Sequence, residues 1–385
     1  MDTGIKTLEV KKAETLHSLE EKVRQLGSDV DYKLRLPASL NTRGALGIEV
    51  AVLQLIGTWL RSNNKKHIFH SHQKDNADDF KELCESVYGI AVLSLVDEIW
   101  DSRKKILPKG MVLSGAKSTI ESLKARKFDE VFKRHYFGIP CIKRPGYDRE
   151  FEMPHYNGGE VVDSSAFYEI LKVVIKDALG ARGRYKKLEA RIDVREVSEM
   201  LWELFKNTHD HGRHDSIGDE LITNFRALIV QHQDLTADYV DRWCSLPSSN
   251  AQVQFKENIR TSSNKHHILD ISVVDMGSGF IDLAMEKSGK KTGREVLLWC
   301  LTTGNSRLGR PNRGDGLTKV LSQVSKNGGW IRIRTKNLVL EKAYSKDADS
   351  AITLGDIREV SGVVSGTTVH ISIPLNNDKF FKGEA

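Results

Sequence analysis

The sequence predicts an α/β protein in two parts, and three observations carry that prediction. The chain has 385 residues, more than the roughly 100–200 that one ordinary core organises. Its first hundred residues alternate short strand-like runs with helical ones. Its second half sets an amphipathic helix ahead of several β-branched strands, the pattern of a largely antiparallel sheet covered by helices.

Taken in order, residues 1–28 are polar and weakly helical, an arm or a helix lying against another part of the molecule. Tyr32–Leu36 alternates like a short strand. Residues 44–60 (GALGIEVAVLQLIGTWL) place apolar side chains at helical spacing, and KHIFH at 66–70 reads as a strand. Asp75–Ser86 follows as a helix, then Gly89–Val96 as a buried strand or helix. These elements form an N-terminal α/β domain over residues 1–100, whose outline is loosely similar to a STAS-type domain. Residues 101–190 form a connecting region in which Pro140, Pro145 and Pro154 argue for loops. It closes with a helix from Ser164 to about Gly180, capped by Ser164 or Ser165.

Composition narrows the function classes. A hydrophobic fraction of 39% beside 29% charged residues is that of a folded chain. No apolar run approaches the roughly 20 residues that cross a bilayer, and the first twenty residues lack the apolar core of a secretion signal. The expectation is a cytoplasmic protein with no membrane contact. Cys84, Cys141, Cys244 and Cys300 lie far apart, without a C-x-x-C pair, and read as reduced structural thiols. Residues 101–150 hold 13 basic groups against 6 acidic ones, so most of the net charge of +6 sits in one segment. Its interleaved aromatics (FKRHYFGIPCIKRPGY) suit phosphates and stacked bases, which makes nucleic acid a partner class to test. His67, His70 and His72 have spacing that admits a metal, without an evident fourth ligand.

Chemistry concentrates after residue 191. In REVSEMLWELFKNTH (195–209), Val197, Met200, Leu201, Leu204 and Phe205 form an apolar stripe, while Glu203, Asn207, Asp210 and His211 recur on another face. A carboxylate and a carboxamide one turn apart can orient a water and bind a hard cation through oxygen. Strand His267–Val274 then runs into Asp275-Met276-Gly277-Ser278-Gly279, which puts a carboxylate at the floor of a cleft with glycines to turn beneath a ligand. Asn312-Arg313-Gly314-Asp315-Gly316-Leu317 opens a helix over Leu317–Ser325, aiming glycine-flanked amides and a helix N-terminus at one place, as phosphate binding requires. WIRIRT (330–335) and GTTVHISIP (366–374) complete the sheet as alternating strands.

This order of boxes resembles the nucleotide-binding domain of the GHKL superfamily, the Bergerat fold shared by type II topoisomerases, heat-shock chaperone ATPases, histidine kinases and mismatch-repair ATPases. The resemblance covers about residues 190–376, within a C-terminal domain at 191–385. It implies that ATP and Mg²⁺ bind here, with Glu203 as the general base and Asn207 as the residue that holds Mg²⁺. Asp210 and His211 stand at the end of the same box. Asp275 matches the aspartate that accepts from the adenine amino group, with Gly277 and Gly279 leaving room for the purine. Gly314, Asp315, Gly316 and Leu317 match the phosphate-cradling turn, and Thr367 matches the threonine that supports adenine through water. Phe280–Arg313 corresponds to an ATP lid in which Arg307, Arg310 or Arg313 faces the γ-phosphate.

The chain departs from the family in its 63-residue connection between His211 and Asp275, where Asp219–Trp243 reads as an inserted helix. The boxes also end without the transducer domain of topoisomerases and mismatch-repair ATPases. Three functions fit: an ATP-hydrolysing conformational switch with the N-terminal half as effector module, acting on a protein partner or in a homodimer; a serine or histidine-type protein kinase resembling the anti-sigma-factor kinases, serine kinases that regulate sigma factors; and an ATP-gated nucleic-acid-binding module.

Overall fold

Short apolar strands joined by crossovers of a dozen residues or more favour parallel pairing. The structure, a computed structural model, describes all residues except 1–4, 29, 41–45, 63–65, 73–79, 132–134, 149–152, 180–192, 244–248, 260–264, 280, 303–315, 346–350 and 376–385. Strands β1 (Lys6–Glu9), β2 (Tyr32–Arg35), β3 (Ile68–His70) and β4 (Glu98–Trp100) lie parallel in that order, and β5 (Ile106–Leu107) pairs antiparallel at the edge. The first residues are thus no arm: they supply β1 and helix α1 (Leu16–Leu26), which starts at a capping box between Thr15 and Ser18.

Helix α2 (Ile48–Leu60) is buried on nearly every side, as a helix without a polar face must be. It lies between the parallel sheet and a second, larger one. Trp59 Nε1 donates to the Tyr32 carbonyl at 2.7 Å on the first side. Gln54 Nε2 donates to the Arg334 carbonyl at 3.0 Å on the second. Helices α3 (Lys81–Cys84) and α4 (Val87–Leu95) follow, and α4 settles the ambiguous run at 89–96 as helix, with all nine residues buried.

Beyond α5 (Lys109–Lys124) and α6 (Phe128–Val131) comes the larger sheet, antiparallel throughout, in the order β12-β13-β11-β10-β6-β7. Its first strands are β6 (Tyr136–Arg144) and β7 (Tyr147–Asp148). After the β8 (Tyr156–Asn157) and β9 (Glu160–Val161) hairpin, helices α7 (Ser164–Leu179) and α8 (Val194–His211) lead to β10 (Asn224–Thr236). Next come α9 (Ala237–Trp243), α10 (Asn250–Ile259), β11 (Lys265–Asp275), α11 (Ile281–Ser288), α12 (Gly293–Cys300) and α13 (Gly316–Lys326), and the sheet closes with β12 (Trp330–Ala343) and β13 (Ile357–Pro374).

Three sequence expectations are corrected here. Asp219–Trp243 is not an inserted helix: FRALIVQHQ forms the middle of β10, paired with β11 on one side and β6 on the other. A strand covered on both faces reads as a continuous apolar run and mimics a buried helix. The proline-bearing stretch at 136–144 is a strand too. Pro140 is tolerated because β7 pairs with β6 only at Lys143 and Arg144, leaving the edge beside Pro140 open. The cap of α7 is Asp163, whose Oδ1 accepts from the amides of Ser165 and Ala166 at 2.9 Å each.

Strand periodicity gives the large sheet two different faces. Leu269, Ile271 and Val273 of β11 point with Ile371 and Ile373 of β13 into an apolar layer under α7, α8 and α13. The opposite face carries Gln233, Asp270, Ser272, Arg332, Arg334, Thr368, His370 and Ser372, all buried. Ser372 Oγ donates to Asp270 Oδ1 at 2.5 Å, and Ser272 Oγ meets His370 Nδ1 at 2.7 Å. Arg332 and Arg334 share Glu20 of α1, with Nη2 of Arg332 at 2.7 Å and Nε of Arg334 at 3.0 Å from Oε1. The N-terminal elements therefore pack on the sheet face opposite α8.

Candidate functional site

Helix α8 is set by an N-cap, a buried stripe and a glycine stop. Asp193 Oδ1 accepts from the amides of Arg195 and Glu196 at 2.9 and 3.3 Å. Val197, Met200, Leu201, Leu204, Phe205, Thr208 and His209 are buried, while Glu203, Asn207, Asp210 and His211 are half-buried along the adjoining face. Lys206 Nζ donates to Asp210 Oδ1 at 3.1 Å. The helix lies against α7, α13 and β11, and an ion pair between Lys326 and Glu196 at 2.9 Å ties its first turn to the end of α13.

Where α8 ends, β11 ends as well. Asp275 is buried at 7% exposure, and its Oδ1 accepts from the Gly277 amide at 2.9 Å. The turn after it is held by two backbone bonds, Met276 N to Phe225 O and Ser278 N to His214 O, both 3.1 Å. Gly212, which stops α8, touches this turn so closely that a Cβ there would lie 2.5 Å from Asp275 Cβ. A Cβ on Gly277 would in turn lie 2.8 Å from Gly212 Cα.

The floor is completed from the last strand. Gly366 has φ +70° and passes over Asp275 so tightly that a Cβ would overlap the Asp275 carbonyl, so both its conformation and its contact demand glycine. Next to it, Thr367 Oγ1 donates to Thr335 Oγ1 at 3.2 Å, and Thr335 Oγ1 donates to the Gly366 carbonyl at 3.4 Å. Gly279 lies beside this hydroxyl pair. Asp275, Gly277, Gly279, Gly366 and Thr367 thus converge from segments some ninety residues apart.

The wall is formed by α13. Its first residue, Gly316, faces Glu203: a Cβ there would lie 2.5 Å from Glu203 Oε2. Leu317 follows, half-buried in the first turn. Glu203 of α8 and Gly316 of α13 therefore face each other, with Asn207 one turn on from Glu203 and Leu317 next to Gly316. Arg307, Arg310, Arg313, Gly314 and Asp315 lie outside the described residues. The segment expected as a lid begins with packed structure, since α11 and α12 bury Ala284, Val296 and Leu297, and Lys336 pairs with Asp282 at 2.6 Å.

Beneath α8 lies a group that sequence reasoning missed. Arg226, fully buried, donates to the Tyr156 hydroxyl at 2.6 Å and lies over the Phe205 ring at 5.6 Å. In the β10–β11 register Arg226 is the partner of Asp275. The Tyr156 hydroxyl meets His209 Nδ1 at 3.3 Å, and His155 packs edge-on against Phe205 at 4.4 Å. Burial, reinforced by Arg213 and Arg226, pushes His209 down to about 3. Burial and Arg226 also depress His155. Both imidazoles are therefore neutral near pH 7, leaving Arg226 as a fixed charge under the cleft floor. Three distant segments supply this cluster, so no local spacing announced it.

The remaining candidates are dispersed. His67 approaches Asp97 at 3.6 Å, His70 packs on Trp100, and His72 approaches Glu9 at 3.4 Å, so these three histidines face separate partners. In the basic segment, Phe137 is a core residue and Lys143 pairs with Glu220 at 2.7 Å, while Lys133 and Arg134 lie outside the described residues. Among the described residues, no helix is long and apolar enough to cross a membrane. No protein-family model, no curated protein and no solved structure matches the chain.

Proposed function

We propose that the cleft between α8, the Asp275 turn and α13 binds Mg²⁺-ATP in the manner of a GHKL domain, and that the protein is an ATP-hydrolysing conformational switch. The observation that carries this reading is convergence: Asp275, Gly277, Gly279 and Thr367 form one floor, with Glu203 and Gly316 adjacent on the wall. A carboxylate has about four acceptor sites, so Asp275, which accepts from the Gly277 amide, is of the chemical type that receives an exocyclic amino group. A helix N-terminus such as that of α13 is a setting suited to phosphate. Asn207, a hard oxygen donor one turn from Glu203, fits a Mg²⁺ ligand; the ion supplies charge neutralisation between the phosphates. Glu203 would hold the attacking water and take its proton.

Packing supports the switch over a passive binder. The sheet that carries Asp275 on one face is covered on the other by α1 and α2, so a change at the cleft is transmitted to the N-terminal module, STAS-like in outline, through β11 and β13. Asp275→Asn should weaken ATP binding by roughly 1.5–3 kcal/mol, tenfold or more, by calorimetric titration. Glu203→Gln should keep binding and lower phosphate release by about 10²–10⁴-fold. Unchanged ATP affinity in Asp275→Asn would sink the site. Label transferred from ATP to a protein instead of free phosphate would favour the anti-sigma-type kinase, for which Glu203 would activate a serine hydroxyl.

A further inference from the structure

At the end of the large sheet away from the cleft, β10 and β11 bring three metal-ligating side chains together. Asp234 and His267 are direct cross-strand partners, and His232 stands two residues before Asp234 on the same face. Their donor atoms, one from each residue, all lie within 4.8 Å of one another. His232 Nε2 is 3.4 Å from Asp234 Oδ1, and His267 Nδ1 contacts the same oxygen. The two imidazoles are near parallel, 16° apart, with centroids 5.5 Å from each other. Ligands at about 2.0–2.1 Å in a tetrahedron lie about 3.3 Å apart, so the His232–Asp234 spacing already matches two corners of a metal polyhedron.

We infer that His232, Asp234 and His267 form a binding site for one divalent transition-metal ion of the zinc class. Two imidazole nitrogens and a carboxylate oxygen suit zinc, cobalt or nickel, and disfavour Mg²⁺ and Ca²⁺, which take oxygen. Solvent would supply the fourth ligand, because His267 and Asp234 remain 25% and 35% exposed in their side chains while His232 is buried. The scaffold is rigid: paired strands hold all three residues, and the Leu375 amide donates to the His267 carbonyl at 2.8 Å.

A third histidine supports His232. His135 Nδ1 lies 3.3 Å from His232 Nδ1, and its carbonyl accepts from the His232 amide at 2.8 Å. It is held there at φ +75°, a conformation that residues with a side chain seldom adopt. Metal bound at His232 Nε2 would keep the His232 proton on Nδ1, facing His135, the arrangement by which outer histidine partners fix a ligand's tautomer. His267 and Asp275 are eight positions apart on β11, about 27 Å of strand, so the site is distinct from the cleft and independent of the nucleotide reading. Bound metal would clamp β10 to β11 where β10 passes into α9.

The test uses the full chain, stripped with chelator and titrated with Zn²⁺ alone by calorimetry, with Co²⁺ spectra in parallel. One equivalent of zinc should bind at micromolar affinity or tighter, and Co²⁺ should give the intense visible bands of a four- or five-coordinate site. His267→Ala and Asp234→Ala, at partly exposed positions, should each weaken zinc binding at least tenfold and erase the bands. The triple variant H67A/H70A/H72A should behave as wild type. Where an alanine variant loses its circular-dichroism signature, His267→Gln and Asp234→Asn replace it. Failure of the wild-type chain to bind zinc, or folded variants that bind as tightly as wild type, would overturn the assignment.

Discussion

Gly212→Ala probes the seating of Asp275 by the sign of its effect. Gly212 has φ −79° and ψ 0°, a right-handed conformation that alanine adopts without strain. At such positions the substitution ordinarily stabilises by about 0.4–1 kcal/mol, because the unfolded chain loses freedom. Here the added methyl would lie 2.5 Å from Asp275 Cβ, 2.7 Å from its Cγ and 2.8 Å from the Thr208 carbonyl oxygen. Carbon atoms rest at about 3.5–4.0 Å, so the overlap is about 1 Å, against the root of a buried side chain and against backbone. Overpacking of this kind costs about 1–3 kcal/mol, which reverses the ordinary gain and leaves a net loss of about 1–2 kcal/mol. Gly110→Ala is the control: it lies in α5 with nothing within 4 Å of its Cβ direction and should stabilise. Urea unfolding of wild type and both variants reads the two signs directly. If Gly212→Ala matches or exceeds wild-type stability, the close packing of α8's end on Asp275 is refuted, and with it the geometry of the cleft floor.

Other perturbations address the packing beneath the sheet. Glu20→Ala removes the carboxylate shared by Arg332 and Arg334; a broken buried pair costs roughly 3–5 kcal/mol. The low end is expected, because Arg334 Nη2 keeps the Gly362 carbonyl at 2.8 Å and Arg332 keeps Glu341 at 3.2 Å. Burial raises Glu20, but Arg332 and Arg334 outweigh it and hold the carboxyl below its ordinary range. This contribution is therefore present at neutral pH and lost on acidification, so the wild-type advantage over Glu20→Ala in urea should shrink at low pH. Glu49 behaves oppositely. Burial raises it to about 7, against the Tyr136 hydroxyl that donates to it at 2.6 Å. In the unfolded chain it ionises near 4.3, so it costs the fold increasing stability as pH climbs from about 4 to 7. Glu49→Gln should gain on wild type across that range, and a difference independent of pH would refute the assignment.

Helix α8 was legible because eighteen residues of strong 3.6-residue periodicity leave little else for the chain to do. The glycine-bearing boxes at Asp275–Gly279 and Gly366–Thr367 stood out in the sequence, and the structure packs them against one another. Strand β10 was not legible. Read as a helix, His232 and Asp234 point about 200° apart; as a strand they share a face, so misjudging the element also hid the metal-ligand cluster. Arg226, Tyr156 and His209 were invisible for another reason: only the register of β10 against β11 and the hairpin before α7 bring them under α8.

The position of β6 has a consequence for how the chain reaches this fold. β6 is made early, yet among the described residues its long partner is β10, some eighty residues later, and α2 buries Gln54 and Gly57 against Arg334 and Met276. A ribosome releases residues N-terminal first, at about 5–20 per second, so the opening half waits many seconds with an apolar helix and an unpaired strand edge exposed. Closure across such sequence distances is slow. The nascent chain should thus need protection from chaperones until β12 and β13 emerge, and pausing of synthesis between α7 and β10 should leave protein that aggregates.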